Sequence, residues 1–176
     1  MSLLRFLGLK EDPAKDRDSG DTASVRRIAA KLEQLDRDKA KYLAAFAYVL
    51  ARVANADLEI DDYETMEMER SLSALSGLSK GEVALAVEIA KSQARLLGGT
   101  ENYIVTREFR ANSNREQRGQ LLQCLYAVAA ADGTISNVES AEIASIADEL
   151  GFTRPEANAL RSQYRDKLAV LRNRSD

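Results

Sequence analysis

V-A-N-A-D-L-E-I-D-D-Y-E at residues 53–64 and V-A-A-A-D-G-T-I-S-N-V-E at residues 128–139 are two copies of one motif. Val53, Ala54, Ala56, Asp57, Ile60 and Glu64 recur as Val128, Ala129, Ala131, Asp132, Ile135 and Glu139, at a constant offset of 75 residues. The duplication extends further: Gly77-Leu78-Ser79-Lys80 matches Gly151-Phe152-Thr153-Arg154 at an offset of 74. In each copy the apolar residues before the motif have helical spacing, and the glycine suits a helix C-terminus, with Ser or Thr next to cap a following helix. One copy therefore reads as helix, acidic turn, helix, glycine turn, helix. A three-helix unit can hardly bury its own apolar faces, so the two units are expected to pack together about a pseudo-twofold axis.

Working outward, helices are expected at 23–36, 38–56, 62–76 and 80–97, then, after Gly98-Gly99, near 101–110 and at 115–131, 137–150 and 155–172. The segment 80–97 carries two apolar stripes, which marks it as a central helix. No segment sustains the two-residue alternation of a strand. The expected fold is all-α, with about eight helices in a single bundle-like domain built from two pseudo-symmetric three-helix repeats, approximately 38–97 and 113–172. That domain spans 22–176. Residues 1–9 form a short apolar segment, and residues 10–21, K-E-D-P-A-K-D-R-D-S-G-D, form a flexible charged linker.

Composition removes several chemistries. The chain has no His, which excludes Ser-His-Asp and Cys-His catalysis and every imidazole zinc site. Its single Cys124 lies in an apolar helical run and reads as a small buried hydrophobe. Any metal would be a hard cation held by oxygen ligands. The net charge of −3 argues against nucleic acid as a partner. No apolar run approaches the ~18 residues that span a bilayer, and residues 2–9 lack the features of a signal peptide, so a cytoplasmic location is expected.

The second motif resembles the latter half of an EF-hand loop, with Asp132 at position 5, Gly133 at 6, Ile135 at 8 and Glu139 at 12. Counting back puts Val128 and Ala130 where oxygen ligands are required, so a standard calcium loop is excluded. Helix capping supplies another account. Ser136-x-x-Glu139 is a capping box and Asp61-x-x-Glu64 a close variant, while Ile60 and Ile135 stand where hydrophobic staples would. Capping leaves one feature over. Asp57, Glu59, Asp61, Asp62, Glu64, Glu67 and Glu69 form a run without a basic residue until Arg70. A helix N-terminus accommodates two or three such charges. The remaining repulsion would be relieved by a divalent cation, held by Asp57, Glu64, Asp132 and Glu139 if the two turns meet.

These residues carry a family resemblance. The A-x-A-D-G-x-I-x-x-x-E pattern at Ala129–Glu139, with its weaker copy at Ala54–Glu64, resembles the TerB-like domain of bacterial tellurite-resistance proteins, over roughly residues 24–172. The resemblance implies an all-helical fold with an acidic surface, a link to tellurite and other stress resistance, and divalent-metal binding as in some members. It also implies association, as in related domains of membrane-anchored co-chaperones. The matching positions are Asp57, Glu64, Asp132 and Glu139, and Leu58 departs from the pattern's glycine.

The leading expectation is a non-enzymatic, stress-linked module whose acidic turns bind a divalent cation, Ca²⁺ foremost. The alternative is a protein–protein interaction or dimerisation module in which the acidic motifs are only helix caps. No nucleophile–base pair, phosphate loop or cofactor motif is present, so no enzyme is expected. A protein partner or self-association is expected. Residues 2–9, with Arg5 and Lys10 beside Leu3, Leu4, Phe6, Leu7 and Leu9, offer peripheral membrane contact, although a segment that folds back on the domain or stays disordered is the preferred reading.

Overall fold

The computed structural model describes residues 27–28, 30–54, 62–94, 102–131 and 133–168. The expectations for residues 1–9 and 10–21, for the first acidic turn and for residues beyond 168 lie outside these. Helical turns at 27–28 and 30–33 lead into α1 (Arg37–Ala54), α2 (Asp62–Leu75), α3 (Lys80–Ala94), α4 (Asn102–Ala111), α5 (Arg115–Ala129), α6 (Asn137–Glu149) and α7 (Arg154–Ser162), followed by a 3₁₀ turn at Arg165–Lys167. The described residues contain no strand, only an isolated parallel bridge between Ile135 and Leu168. The fold is all-α, as expected.

Helix α1 is the centre. Every residue from Leu43 to Ala51 is buried, and α1 packs against α3, α4, α5 and α6. Ala44, Ala45, Ala47 and Ala51 allow this, because small side chains let neighbours approach on all sides. The two-striped helix α3 is thus less central than its pattern predicts. Its stripes, Val83, Ala86, Val87 and Ala90 on one side and Leu85 and Ile89 on the other, are indeed buried. Part of its cover comes from the 27–33 turns, tied down by Arg27 and Lys31, which grip Glu88 at 2.5 and 2.8 Å, and by buried Ile28 and Leu32.

The helices of the two motif copies pack across one another: α2 lies on α5 and α6 lies on α1. The ends of α1 and α5, the starts of α2 and α6, and the starts of α3 and α7 keep the sequence offsets of 75, 75 and 74 residues. Both glycine turns have positive φ, 68° at Gly77 and 82° at Gly151. At the second, Phe152 N–H donates to Ala147 O at 2.9 Å and Gly151 N–H to Asp148 O at 3.0 Å, the Schellman pattern that satisfies the last carbonyls of a helix. An alanine at 151 would be strained at this φ, and its Cβ would lie 2.8 Å from the Arg110 guanidinium. Gly151→Ala is expected to cost about 1–2 kcal/mol, and Gly77→Ala, with open space around it, no more than that. Urea unfolding should show a lowered midpoint with an unchanged slope for both.

The last helix departs from expectation. The pattern predicts a helix over 155–172, but α7 stops at Ser162. The chain then turns so that Lys167 O accepts from Ile135 N–H at 2.7 Å and Leu168 enters the core. Leu168 keeps its apolar role without the helix.

Candidate functional site

The bundle has two distinguishable ends. At one, the first turns of α1, α3 and α5 and the last residues of α2 and α4 surround an open groove of about 530 Å³, lined by Asp38, Lys39, Tyr42, Glu82, Gln117 and Gln120 among others. Lys39 meets Glu82 at 2.5 Å. Burial alone would raise the Glu82 carboxyl, but Lys39 and the Ser79 amide outweigh it and hold it below the usual range. Burial pushes the Tyr42 hydroxyl up to about 12. Sequence reading did not single out this groove, because its lining comes from five separated elements.

The helix ends that flank the acidic turns belong to the other end. Helix α1 is 18 residues long, about 27 Å, so its C-terminus is far from the groove. Helix α2 finishes at the groove and therefore starts at the far end. Helix α6 runs the same way, since its C-terminal carbonyls, Glu149 O and Gly151 O, accept from Arg110 and Arg115 beside the start of α5. The helix ends flanking both turns thus lie toward one end of the bundle.

Of the four expected ligands, Asp57 and Asp132 lie outside the described residues, as does the side chain of Glu64, which sits in the first turn of α2. Glu139 is described, and it closes the expected capping box. Ser136 N–H donates to Glu139 Oε2 at 2.8 Å, and Glu139 N–H donates to Ser136 Oγ at 3.1 Å. Gly133 has φ of 95°, a backbone that side-chain-bearing residues avoid, and Leu58 at the corresponding position lies outside the described residues. The staple expected at Ile135 does not form. Its helical partner position is Ser140, which is polar, so Ile135 buries in the common core and pairs its backbone with residues 167–168. Among the described residues, no three His, Cys, Asp or Glu side chains are grouped to hold a metal ion.

Capping boxes recur at three more helix starts: Ser79 with Glu82, Asn114 with Gln117, and Thr153 with Glu156. Hydrogen bonds from the Thr153 hydroxyl and amide, with Arg115 alongside, hold Glu156 at about 2. The Arg115 guanidinium also lies 4.1 Å over the Phe152 ring.

Among the described ion pairs the most deeply set charge is Arg52, in the last turn of α1. Its side chain is only 4% exposed, and it pairs with Glu142 and Glu149 of α6, each at 2.8 Å, while donating to Thr106 Oγ1 of α4 at 2.6 Å. Burial works against its charge, but the two glutamates outweigh burial and raise its pKa further. Sequence reading passed over it. The available signal was a lone Arg within the apolar run A-F-A-Y-V-L-A-R-V-A, since a charge on a buried stripe calls for partners. Buried Cys124, whose thiol burial pushes up to about 12, has the inert character expected of it.

Among the described residues, no helix is long and apolar enough to cross a membrane. Comparison with known proteins gives one family: the model for tellurite resistance protein TerB matches residues 42–162. No curated protein and no solved structure gives a significant match. The matched stretch runs from the first half of α1 to the last residue of α7 and takes in both copies of the duplicated motif. With most of its length inside that match, the chain belongs to the TerB family of tellurite resistance proteins.

Proposed function

We propose that this chain is a non-enzymatic, cytoplasmic TerB module of bacterial stress or tellurite resistance, whose acidic turns bind a divalent cation, with Ca²⁺ the best-suited ion. The support for this reading is in the described helix ends on either side of the two turns and in the sequence of the first. The helix ends that flank them lie toward one end of the bundle, and the first turn and the start of α2 contribute seven carboxylates before Arg70. Asp57, Glu64, Asp132 and Glu139 are the proposed ligands. Oxygen ligands alone favour a hard cation.

A second reading has its own support. The capping box gives Glu139 a structural role, and Tyr63, Met66 and Val138 are exposed near the same end. On that reading the module docks a protein partner or a second copy of itself, and the acidic motifs serve only the helices.

Thermal unfolding separates the two. With excess Ca²⁺ after EDTA treatment, a cation at about 100 times its dissociation constant adds about 2.7 kcal/mol, which raises the midpoint on the order of 5–10 °C for a chain of this size. The shift is expected in the wild type and absent from Asp57→Asn/Asp132→Asn. No wild-type shift with Ca²⁺, Mg²⁺ or Mn²⁺ would overturn the cation reading in favour of the docking one.

A further inference from the structure

Three arginines gather where the α4–α5 turn meets the α6–α7 turn. Arg110 stands at the end of α4, and Arg115 and Arg118 are neighbours three residues apart on α5. Arg115 reaches the α6–α7 turn, where it donates to Gly151 O at 2.9 Å, pairs with Glu156 and lies over the Phe152 ring. Arg110 lies against the same glycine and donates to Glu149 O at 3.4 Å. Arg118 turns back to Ser113 O, which accepts from its Nη2 at 2.7 Å and from its Nε at 3.2 Å. Among the described residues, Glu156 is the only carboxylate that pairs with any of the three. The Glu149 carboxylate is taken by Arg52, and that of Glu108 by the Asn112 amide. Glu116 and Asp148 are exposed and bond to none of the three arginines. Burial, and then the charges of Arg110 and Arg115, lower the pKa of Arg118, so its guanidinium sits in a repulsive field. Donors are also left over. Among the described residues, the Nε and Nη2 groups of Arg110 and the Nη1 group of Arg118 have no partner.

The glycine turn does not require this cluster. The matching turn at Gly77 has the same left-handed backbone with open space around its glycine. At the 75-residue offset of the duplication, the three arginines correspond to Leu35, Ala40 and Leu43. Guanidinium forks match oxyanions in both shape and charge. We propose that Arg110, Arg115 and Arg118 form a site for a small free oxyanion of the phosphate type. The unused N–H groups of Arg110 and Arg118 donate to its oxygens, and Arg115, fixed by Gly151 and Glu156, adds its charge. Bound there, the anion relieves the repulsion among the three guanidinium groups. The site lies away from the helix ends that flank the acidic turns, and it does not rest on the cation reading.

The test is titration of the full chain with inorganic phosphate, in EDTA, followed by ¹H–¹⁵N NMR and set against sodium chloride of equal ionic strength. Saturable shifts of the Arg110 and Arg118 Nε–H resonances and of the Ser113 amide are expected with phosphate and not with chloride. Arg118→Gln and Arg110→Gln should each weaken phosphate binding about tenfold, the loss of one charge-assisted hydrogen bond. Arg70→Gln, an exposed arginine on α2, should leave it unchanged. Matching circular dichroism melts establish that the variants fold, and Arg110→Gln, which gives up only one long hydrogen bond, carries the test if Arg118→Gln does not. Phosphate shifts no larger than those with chloride would overturn the proposal, as would an equal loss in Arg70→Gln. Sedimentation with phosphatidic acid vesicles separates the two sources of a phosphate group. A chain that stays in the supernatant supports the free anion. Co-sedimentation that Arg118→Gln abolishes would overturn it in favour of a lipid headgroup.

Discussion

Arg52→Ala is expected to destabilise the protein by about 3–5 kcal/mol, the cost of removing one partner from a buried charge network. The guanidinium joins three helices: it is carried on α1, pairs with Glu142 and Glu149 on α6 and donates to Thr106 on α4. Its removal leaves Glu149, 14% exposed, without its principal countercharge, and leaves buried Thr106 short of a hydrogen bond. Glu142 is 34% exposed and can be resolvated, so Glu142→Gln should cost far less, within about 1 kcal/mol. The order Arg52→Ala, then Glu149→Gln, then Glu142→Gln is the signature of the network, measured as loss of unfolding free energy in urea. A compensating pair such as Arg52→Met/Glu149→Leu should recover much of the loss, because it removes the buried charges together. If Arg52→Ala costs less than 1 kcal/mol, the network contributes little to stability and α6 is held to α1 by apolar packing alone.

The helix boundaries were legible because local chemistry sets them. Ser136, Thr153, Ser79, Gly77 and Gly151 announce starts and stops within a few residues of the elements they cap, and the duplicated motif places them twice. The length of the last helix was not legible. Ala157, Leu160, Tyr164 and Leu168 have helical spacing, yet the chain turns after Ser162 so that Lys167 and Leu168 can brace Ile135, more than 30 residues earlier. A contact that distant overrides a local preference worth only tenths of a kcal/mol per residue. The same reason hid the Arg52 network, whose partners lie 54, 90 and 97 residues away. It also hid the centrality of α1, since α3 shows the broader apolar pattern in sequence and the alanines of α1 register as weak hydrophobes although they admit close neighbours. Of the expected cation ligands, Glu139 could be read as a cap from Ser136-x-x-Glu139 alone. Whether a carboxylate cluster also binds an ion depends on charges from two copies of the motif meeting, which spacing within one copy does not encode.

The second large effect is expected at Phe46. This residue of α1 is fully buried and sits between two aromatic neighbours, with its ring centroid 6.0 Å from that of Tyr42 and 6.1 Å from that of Phe109 on α4, the last in an edge-on arrangement. Tyr42 and Phe109 approach to 5.2 Å, so the three rings form one cluster. The cluster matters because α4 lies between the two copies of the motif and meets α1 through it. Phe109, Val105 and Thr106 are its buried residues, and α1 and α6 are the helices it packs on. Phe46→Ala removes most of a large side chain from a site surrounded by fixed rings and should cost about 3–5 kcal/mol. That lowers the thermal midpoint on the order of 10 °C. Phe109→Ala should fall in the same range. The double variant should lose less than the sum by about 0.5–1.5 kcal/mol, the part belonging to the ring pair itself. Met66→Ala, on the exposed face of α2, should stay within about 0.5 kcal/mol of wild type. A Phe46→Ala cost near that of Met66→Ala would mean that α4 is not anchored through this cluster. The groove and the Thr106 end of the Arg52 network would then have to be held by the α4–α6 contact, because both depend on where α4 lies.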